Sequence, residues 1–203
     1  MLSVQTLVKR IRARLHDKDE ITYDDEEILD CINCGVRFIR RLIANVRPAL
    51  LMAEHRGTLP SGVKSITLET RPTKIVNVTA GTPEKLLYET EMASSIYKDI
   101  RRGDPEEFFQ TGTQTINFYP TPDKPTPYTV RTVDDIAELA WADSSPLNTE
   151  FDDFLVEYAA IRLSVGNEYD MTQESQLMAN IAAQIQQILT PPPAGFVIEG
   201  YWR

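Results

Sequence analysis

The stretch Leu59-Pro60-Ser61-Gly62 marks a change of texture on which the fold turns. On its N-terminal side, apolar residues recur at helical spacing. On its C-terminal side come short runs rich in β-branched residues. Gly, Pro, Thr or Asp closes each run, which is the punctuation of strands and turns.

Reading back from that boundary, Ile28, Ile32, Val36, Ile39 and Ile43 form the apolar stripe of a long helix. Thr22, with Asp25, Glu26 and Glu27 after it, reads as its start, with acids at the positive end of the dipole. Arg37, Arg40, Arg41 and Arg47 crowd its C-terminal half, and Pro48 ends or kinks it. Further back, Val4, Leu7, Val8, Ile11 and Leu15 predict a shorter amphipathic helix with Ser3 as N-cap. Residues 16–23 read as a polar, solvated connection.

Reading forward, strands are expected at 64–69, 74–79, 85–88, 113–119 and 127–133, with Gly112 in a hairpin turn. One helical interruption at 91–101 carries Met92, Ile96 and Ile100. After 141–146 the helical period returns. Phe151, Phe154, Leu155, Tyr158, Ile161, Leu163 and Val165 mark a helix to about residue 169. Leu177, Ile181, Ile185, Ile188 and Leu189 mark another at 171–189. Terminal helices standing alone would expose their stripes, so they are expected to pack together. The fold class is therefore α+β: a helical bundle from the N-terminal (1–58) and C-terminal (148–190) helices, an inserted antiparallel β domain (59–147), and an extended tail (191–203).

A chain of 203 residues, 42% hydrophobic and 25% charged, buries a real core. A formal net charge of −9 argues against a general nucleic-acid binder, which needs a positive surface to displace counterions. The charge is uneven: Lys9, Arg10, Arg12 and Arg14 precede an acidic block at 17–30. Such blocks pair within a fold or between neighbouring copies. No run approaches the roughly eighteen apolar residues of a membrane span. Two cysteines make no disulfide framework, and a reducing cytoplasm is the expected place of synthesis.

No catalytic, cofactor or metal site emerges. His16 and His55 fall in expected loop or helix-end positions. Cys31 and Cys34 form a lone CxxC without a second pair for zinc or a βαβ setting for thiol exchange, and read as small residues on the core side of a helix. The acidic run lacks the spaced ligands of an EF-hand.

The C-terminal segment says more. After Pro191, Pro192 and Pro193, which favour an extended form, come Phe196, Val197, Ile198, Tyr201, Trp202 and Arg203. Free tails are polar; burying such side chains is worth roughly 1.5–3 kcal/mol each before ordering costs. Either the tail folds back on its own chain, or the proline spacer projects it onto another subunit. The spacer favours the second reading, with Phe196, Val197 and Ile198 adding an edge strand and Tyr201 and Trp202 as anchors.

Leu7–Leu15, then Asp17, Asp19-Glu20-Ile21-Thr22-Tyr23-Asp24-Asp25-Glu26-Glu27-Ile28 and Ile32-Asn33, with the long helix behind, resemble the opening of the head-to-tail adaptor (connector) proteins of tailed double-stranded DNA bacteriophages. Gln114-Thr115-Ile116-Asn117-Phe118-Tyr119-Pro120-Thr121-Pro122, leading to Tyr128-Thr129-Val130, is similar to the strand, proline turn and strand of such adaptors, the short-tailed type especially. The acidic-aromatic helix and the Gln-rich helix after it extend the likeness over most of the chain.

The resemblance implies a non-enzymatic virion protein, made in the bacterial host and placed at the head-tail junction. It implies a homo-oligomeric ring, usually twelve-fold, bound to the portal protein and to a tail or nozzle protein. DNA passes through such a ring without specific binding, and there is no membrane partner. A tail reaching into the portal is also implied, which carries that role onto Phe196, Val197, Ile198, Tyr201, Trp202 and Arg203. Net negative charge suits a channel to which DNA must not stick. Two alternatives are a different head-completion or neck protein, and a ligand-binding β module on a helical scaffold.

Overall fold

A computed structural model describes residues 2–91, 101–166 and 171–190. The helix expected at 91–101 falls almost wholly outside these residues, and the tail after Thr190 falls outside entirely. The chain is mixed α+β and divides into two compact units. One takes in residues 1–47 and 137 onward; the other is Pro48–Ile136.

In the first unit, helix α1 (Val4–Arg14) starts where expected, with Ser3 Oγ accepting the Thr6 N–H at 3.3 Å. Val4, Leu7, Val8 and Ile11 are buried. Helix α2 (Asp25–Val46) buries Ile28, Ile32, Val36, Ile39 and Ile43, the whole expected stripe. Its N-cap is Asp24 rather than Thr22: Asp24 Oδ1 accepts the Glu27 N–H at 2.6 Å. Asp24 directly precedes the first helical residue and so reaches that amide, while the Thr22 N–H is turned to the Asp17 carboxylate.

Helices α3 (Thr149–Gly166) and α4 (Met171–Leu189) complete the unit. Phe151, Leu155, Tyr158, Ala159 and Leu163 of α3 are buried, whereas Phe154 and Ile161 are only half-buried. Ile181, Ile185 and Leu189 of α4 are buried, and Ile188 is exposed. Gly35 lets α2 approach α3, since a Cβ there would lie 2.6 Å from Leu155 Cδ1 and 2.9 Å from Tyr158 Cδ1. Phe38 and Tyr158 stack nearby, with ring centroids 5.1 Å apart. Arg10 reaches Asp153 at 3.1 Å and Arg14 reaches Glu157 at 2.8 Å. Both helices advance by one turn between these pairs, so α1 and α3 run in the same direction. The segment before α3 is stitched to the N-terminus, with Val4 N–H donating to Asp143 O and Ser145 N–H to Leu2 O. Asn33 of α2 clamps the same segment: its amide accepts the Leu139 N–H at 2.8 Å and donates to Leu139 O at 3.3 Å.

The second unit holds two four-stranded sheets, ordered β1-β8-β3-β4 and β2-β7-β6-β5. The strands are β1 (Met52–Leu59), β2 (Ser65–Thr67), β3 (Pro72–Ala80), β4 (Lys85–Leu86), β5 (Tyr88–Glu89), β6 (Glu107–Thr111), β7 (Thr115–Tyr119) and β8 (Thr126–Asp134). Leu59, Val78, Ala80 and Val130 of the first sheet meet Phe108, Ile116 and Phe118 of the second in one apolar core.

Three expectations about this unit change. Strands β1 and β6 were not foreseen, and β1 lies ahead of the boundary read at Leu59. The run 85–88 is not one strand: Leu87 is buried, and the chain passes there from an edge of one sheet to an edge of the other. Pairing is not wholly antiparallel, because β5 runs parallel to β6, with Tyr88 opposite Glu107. A two-residue edge strand arriving from the other sheet has no hairpin to set its direction.

Candidate docking surfaces

The connection at 16–23 is not wholly solvated, because one of its acids, Asp17, is a core residue. Asp17 and Arg12 are each only 5% exposed, and Arg12 Nη1 donates to Asp17 Oδ2 at 2.7 Å. Arg12 Nη2 donates to Asp25 Oδ1 at 2.8 Å, so one guanidinium ties α1 to the loop and to the first turn of α2. The rest of the Asp17 carboxylate gathers backbone N–H groups: Thr22 at 2.9 Å, Ile21 at 3.1 Å and Tyr23 at 3.4 Å. Those bonds, that of Thr22 first, hold its pKa below the ordinary value against the opposing effect of burial. Arg12 is held more firmly protonated, first by its bond to Asp25. His16 and Glu20 both adopt φ of +58°, which turns the chain around this carboxylate.

The turn presents Ile21, 83% exposed, at its tip. Asp19, Glu20 and Asp24 are exposed around it. Three N–H bonds to one buried anion, one of them from Ile21 itself, fix the direction of this side chain. The signal in the sequence was a lone isoleucine inside an acidic run.

The basic block is largely consumed within the unit. Arg10, Arg12 and Arg14 all have acidic partners, and Arg37 pairs with Glu138 at 2.8 Å. Towards the other end of α2, Arg41 and Arg47 are exposed and make no ion pair among the described residues. In the second unit Tyr88 is 73% exposed on β5 and Leu86 is exposed on β4. The expected docking residues Phe196, Val197, Ile198, Tyr201, Trp202 and Arg203 lie outside the described residues.

His55 is neither in a loop nor at a helix end; it lies on β1. Its Nε2 sits 3.0 Å from Thr132 Oγ1 and 3.2 Å from Asp134 Oδ2. A hydroxyl-activating triad places hydroxyl and carboxylate on different ring nitrogens, whereas here both converge on one. Thr132 is fully buried and itself bonds Asp134, so the group cross-links β1 to β8. Burial raises the Asp134 pKa, but hydrogen bonds from Thr132, Thr70 and His55 together leave it below its ordinary value.

Cys31 and Cys34 are half-buried rather than on the core face. Burial, and then Cys34, push the Cys31 thiol up to about 11, away from a reactive thiolate. No cluster of three or more metal-ligating side chains occurs among the described residues. Two depressions on the β unit, about 110 and 190 Å³, fall below the roughly 300–1,000 Å³ of small-molecule sites. No described helix is long and apolar enough to cross a membrane.

These surfaces offer an apolar point held rigid, an acidic rim and, at the far end of α2, cations without an acidic partner among the described residues. The chain matches the family model described as SU10 adaptor protein over residues 2–194, and it belongs to that family. It is thus a bacteriophage adaptor, a structural protein of the virion. No curated protein matches the chain.

Proposed function

We propose that this chain is the head-to-tail adaptor of a short-tailed phage, forming a ring, twelve-fold in the usual pattern, beneath the portal. The helices make a bundle that carries the β unit, and the ring joins the portal to a tail or nozzle protein by protein-protein docking. DNA passes through without specific binding. The tail docks on the portal through Phe196, Val197, Ile198, Tyr201, Trp202 and Arg203, with the three prolines as spacer. The subunit is made in the host cytoplasm and ends at the head-tail junction.

The observation that carries this reading is the family match across nearly the whole chain, which takes in both units and the start of the tail. The apolar content of the segment after Thr190 supports the docking role.

The test is to mix the full chain, and a version ending at Thr190, with the portal protein of the same phage, and to weigh the complexes by native mass spectrometry. The full chain loads in multiple copies and the truncated one does not. Equal loading of both would remove the tail mechanism and keep the adaptor. Loading of neither, with the chain monomeric, would remove the adaptor reading itself.

A further inference from the structure

We propose that the free edge of β1 docks the β1 of a second copy of this chain, antiparallel and centred on His55, joining two four-stranded sheets into one of eight. Such a two-fold contact closes at two copies, whereas a ring is built from heterologous contacts. The pairing therefore belongs to the subunit before it reaches the portal, and it is independent of the ring reading.

The docking edge follows from the strand order. β1 ends its sheet and pairs with β8 along all its residues, from Met52 to Leu59, with no strand beyond it. In an antiparallel pair, alternate residues turn their N–H and C=O away from the partner. Among the described residues, no backbone group of 52–59 finds a backbone partner outside β8. The other three sheet edges, β2, β4 and β5, are only two or three residues long. Exposed edges are ordinarily shortened, bulged or broken by proline; β1 is long, regular and free of proline.

The occupant follows from charge. Met52, Glu54, Arg56 and Thr58 share the exposed face of β1. An antiparallel copy centred on His55 sets Glu54 opposite Arg56 and Arg56 opposite Glu54, two favourable pairs related by the axis. Centring the pair on Glu54 or on Arg56 instead sets like charges opposite each other. An axis between two residues would match the core face of one sheet to the outer face of the other. The charge row continues into each sheet, because Arg131 of β8 lies opposite Glu54 and donates to it at 2.7 Å. On the inner face Ala53 meets Gly57, small against small. His55 lies on the axis, with its Nε2 already turned to Thr132 and Asp134 of its own β8.

The experiment follows self-association of the full-length chain, without portal, by analytical ultracentrifugation over a concentration series. The parent forms a dimer. Glu54→Arg and Arg56→Glu each weaken it at least about tenfold, since each variant then sets only like charges across the two strands. Mixed in equal amounts the two variants pair again, because every Arg now faces a Glu. Their melting temperatures check that the sheet itself is intact. A second measurement leaves these charges alone. Met52→Cys/Thr58→Cys, at two exposed positions, forms a disulfide between copies under oxidation, and neither single change does. Within one chain those positions are about 20 Å apart along the strand, too far to be bridged. A parent that stays monomeric up to its solubility limit overturns the proposal. So does a dimer that survives both charge changes or yields no cross-link, because it uses another surface. Loading onto the portal is measured separately, so either failure leaves the adaptor reading standing.

Discussion

Arg12 and Asp17 face each other at 2.7 Å inside the first unit, and each is almost wholly shielded from water. The pair lies where helix α1 gives way to the turn before α2. A single carboxylate thus serves as counterion to α1 and as acceptor for three amides of that turn. Removing either partner takes a buried charge away from its closest counterion, which costs more than losing a surface pair, although Asp25 still answers Arg12 and three amides still answer Asp17.

Asp17 makes the stability of this unit depend on pH in a defined direction. Its folded pKa lies below the ordinary 3.8, so its contribution is complete above 3.8 and is lost as pH falls through the folded value. Asp17→Asn therefore lowers the melting temperature at neutral pH. The gap from the parent narrows as pH drops below 3.8, where the parent carboxyl is protonated too. Thermal melts of both proteins from pH 7 to pH 2 check this; a gap that stays constant would refute it.

Asn33 holds the segment before α3 through one acceptor and one donor contact to Leu139. Asn33→Ala leaves both backbone groups without their partner and costs about 1–3 kcal/mol in urea denaturation. Hydrogen exchange separates the two bonds. The Leu139 amide loses protection in Asn33→Ala and keeps most of it in Asn33→Asp, which retains the acceptor.

Gly35 sits mid-helix, where Ala is ordinarily better by about 1 kcal/mol. Here the added methyl meets Leu155 and Tyr158 at less than van der Waals distance, and overpacking costs roughly 1–3 kcal/mol. The clash outweighs the propensity, so Gly35→Ala is destabilising by about 1 kcal/mol. Combined with Leu155→Ala, it loses less than the sum of the two single changes, as a double-mutant cycle measures.

Asp152 is fully buried on α3, and neither carboxyl oxygen has a hydrogen-bond partner among the described residues. An unmet buried polar group is a standing cost. Asp152→Asn, close in shape and without charge, raises stability by about 1 kcal/mol in chemical denaturation. A loss of stability instead would reveal a partner for the carboxylate.

The stripes of α1 and α2 were legible because a helix is a local object. Its period, and caps such as Ser3, are set by residues within a turn of one another. Strands β3, β7 and β8 were legible for a related reason, as β-branched residues fill them and turn residues bound them. Strand β1 was not. Its half-buried positions, Ala53, His55 and Gly57, are small or polar, and it is a strand because β8 pairs with it from Met52 through Leu59. Gly57 itself lies under the Tyr128 hydroxyl of that neighbour, where a Cβ would come within 2.5 Å.

The docking features divide along the same line. The sequence alone determined the two kinds of segment, the opposed charge blocks and the apolar tail, since each depends on composition or short-range order. Tertiary structure alone decided that Asp17 is buried while Ile21 is exposed, the reverse of their intrinsic preferences. It also decided that Arg10, Arg12 and Arg14 are used internally while Arg41 and Arg47 remain outward. The physical reason is that burial and pairing are settled by groups far away in the chain. Arg10 and Arg14 are answered from α3, more than a hundred residues on, and no local pattern records that meeting.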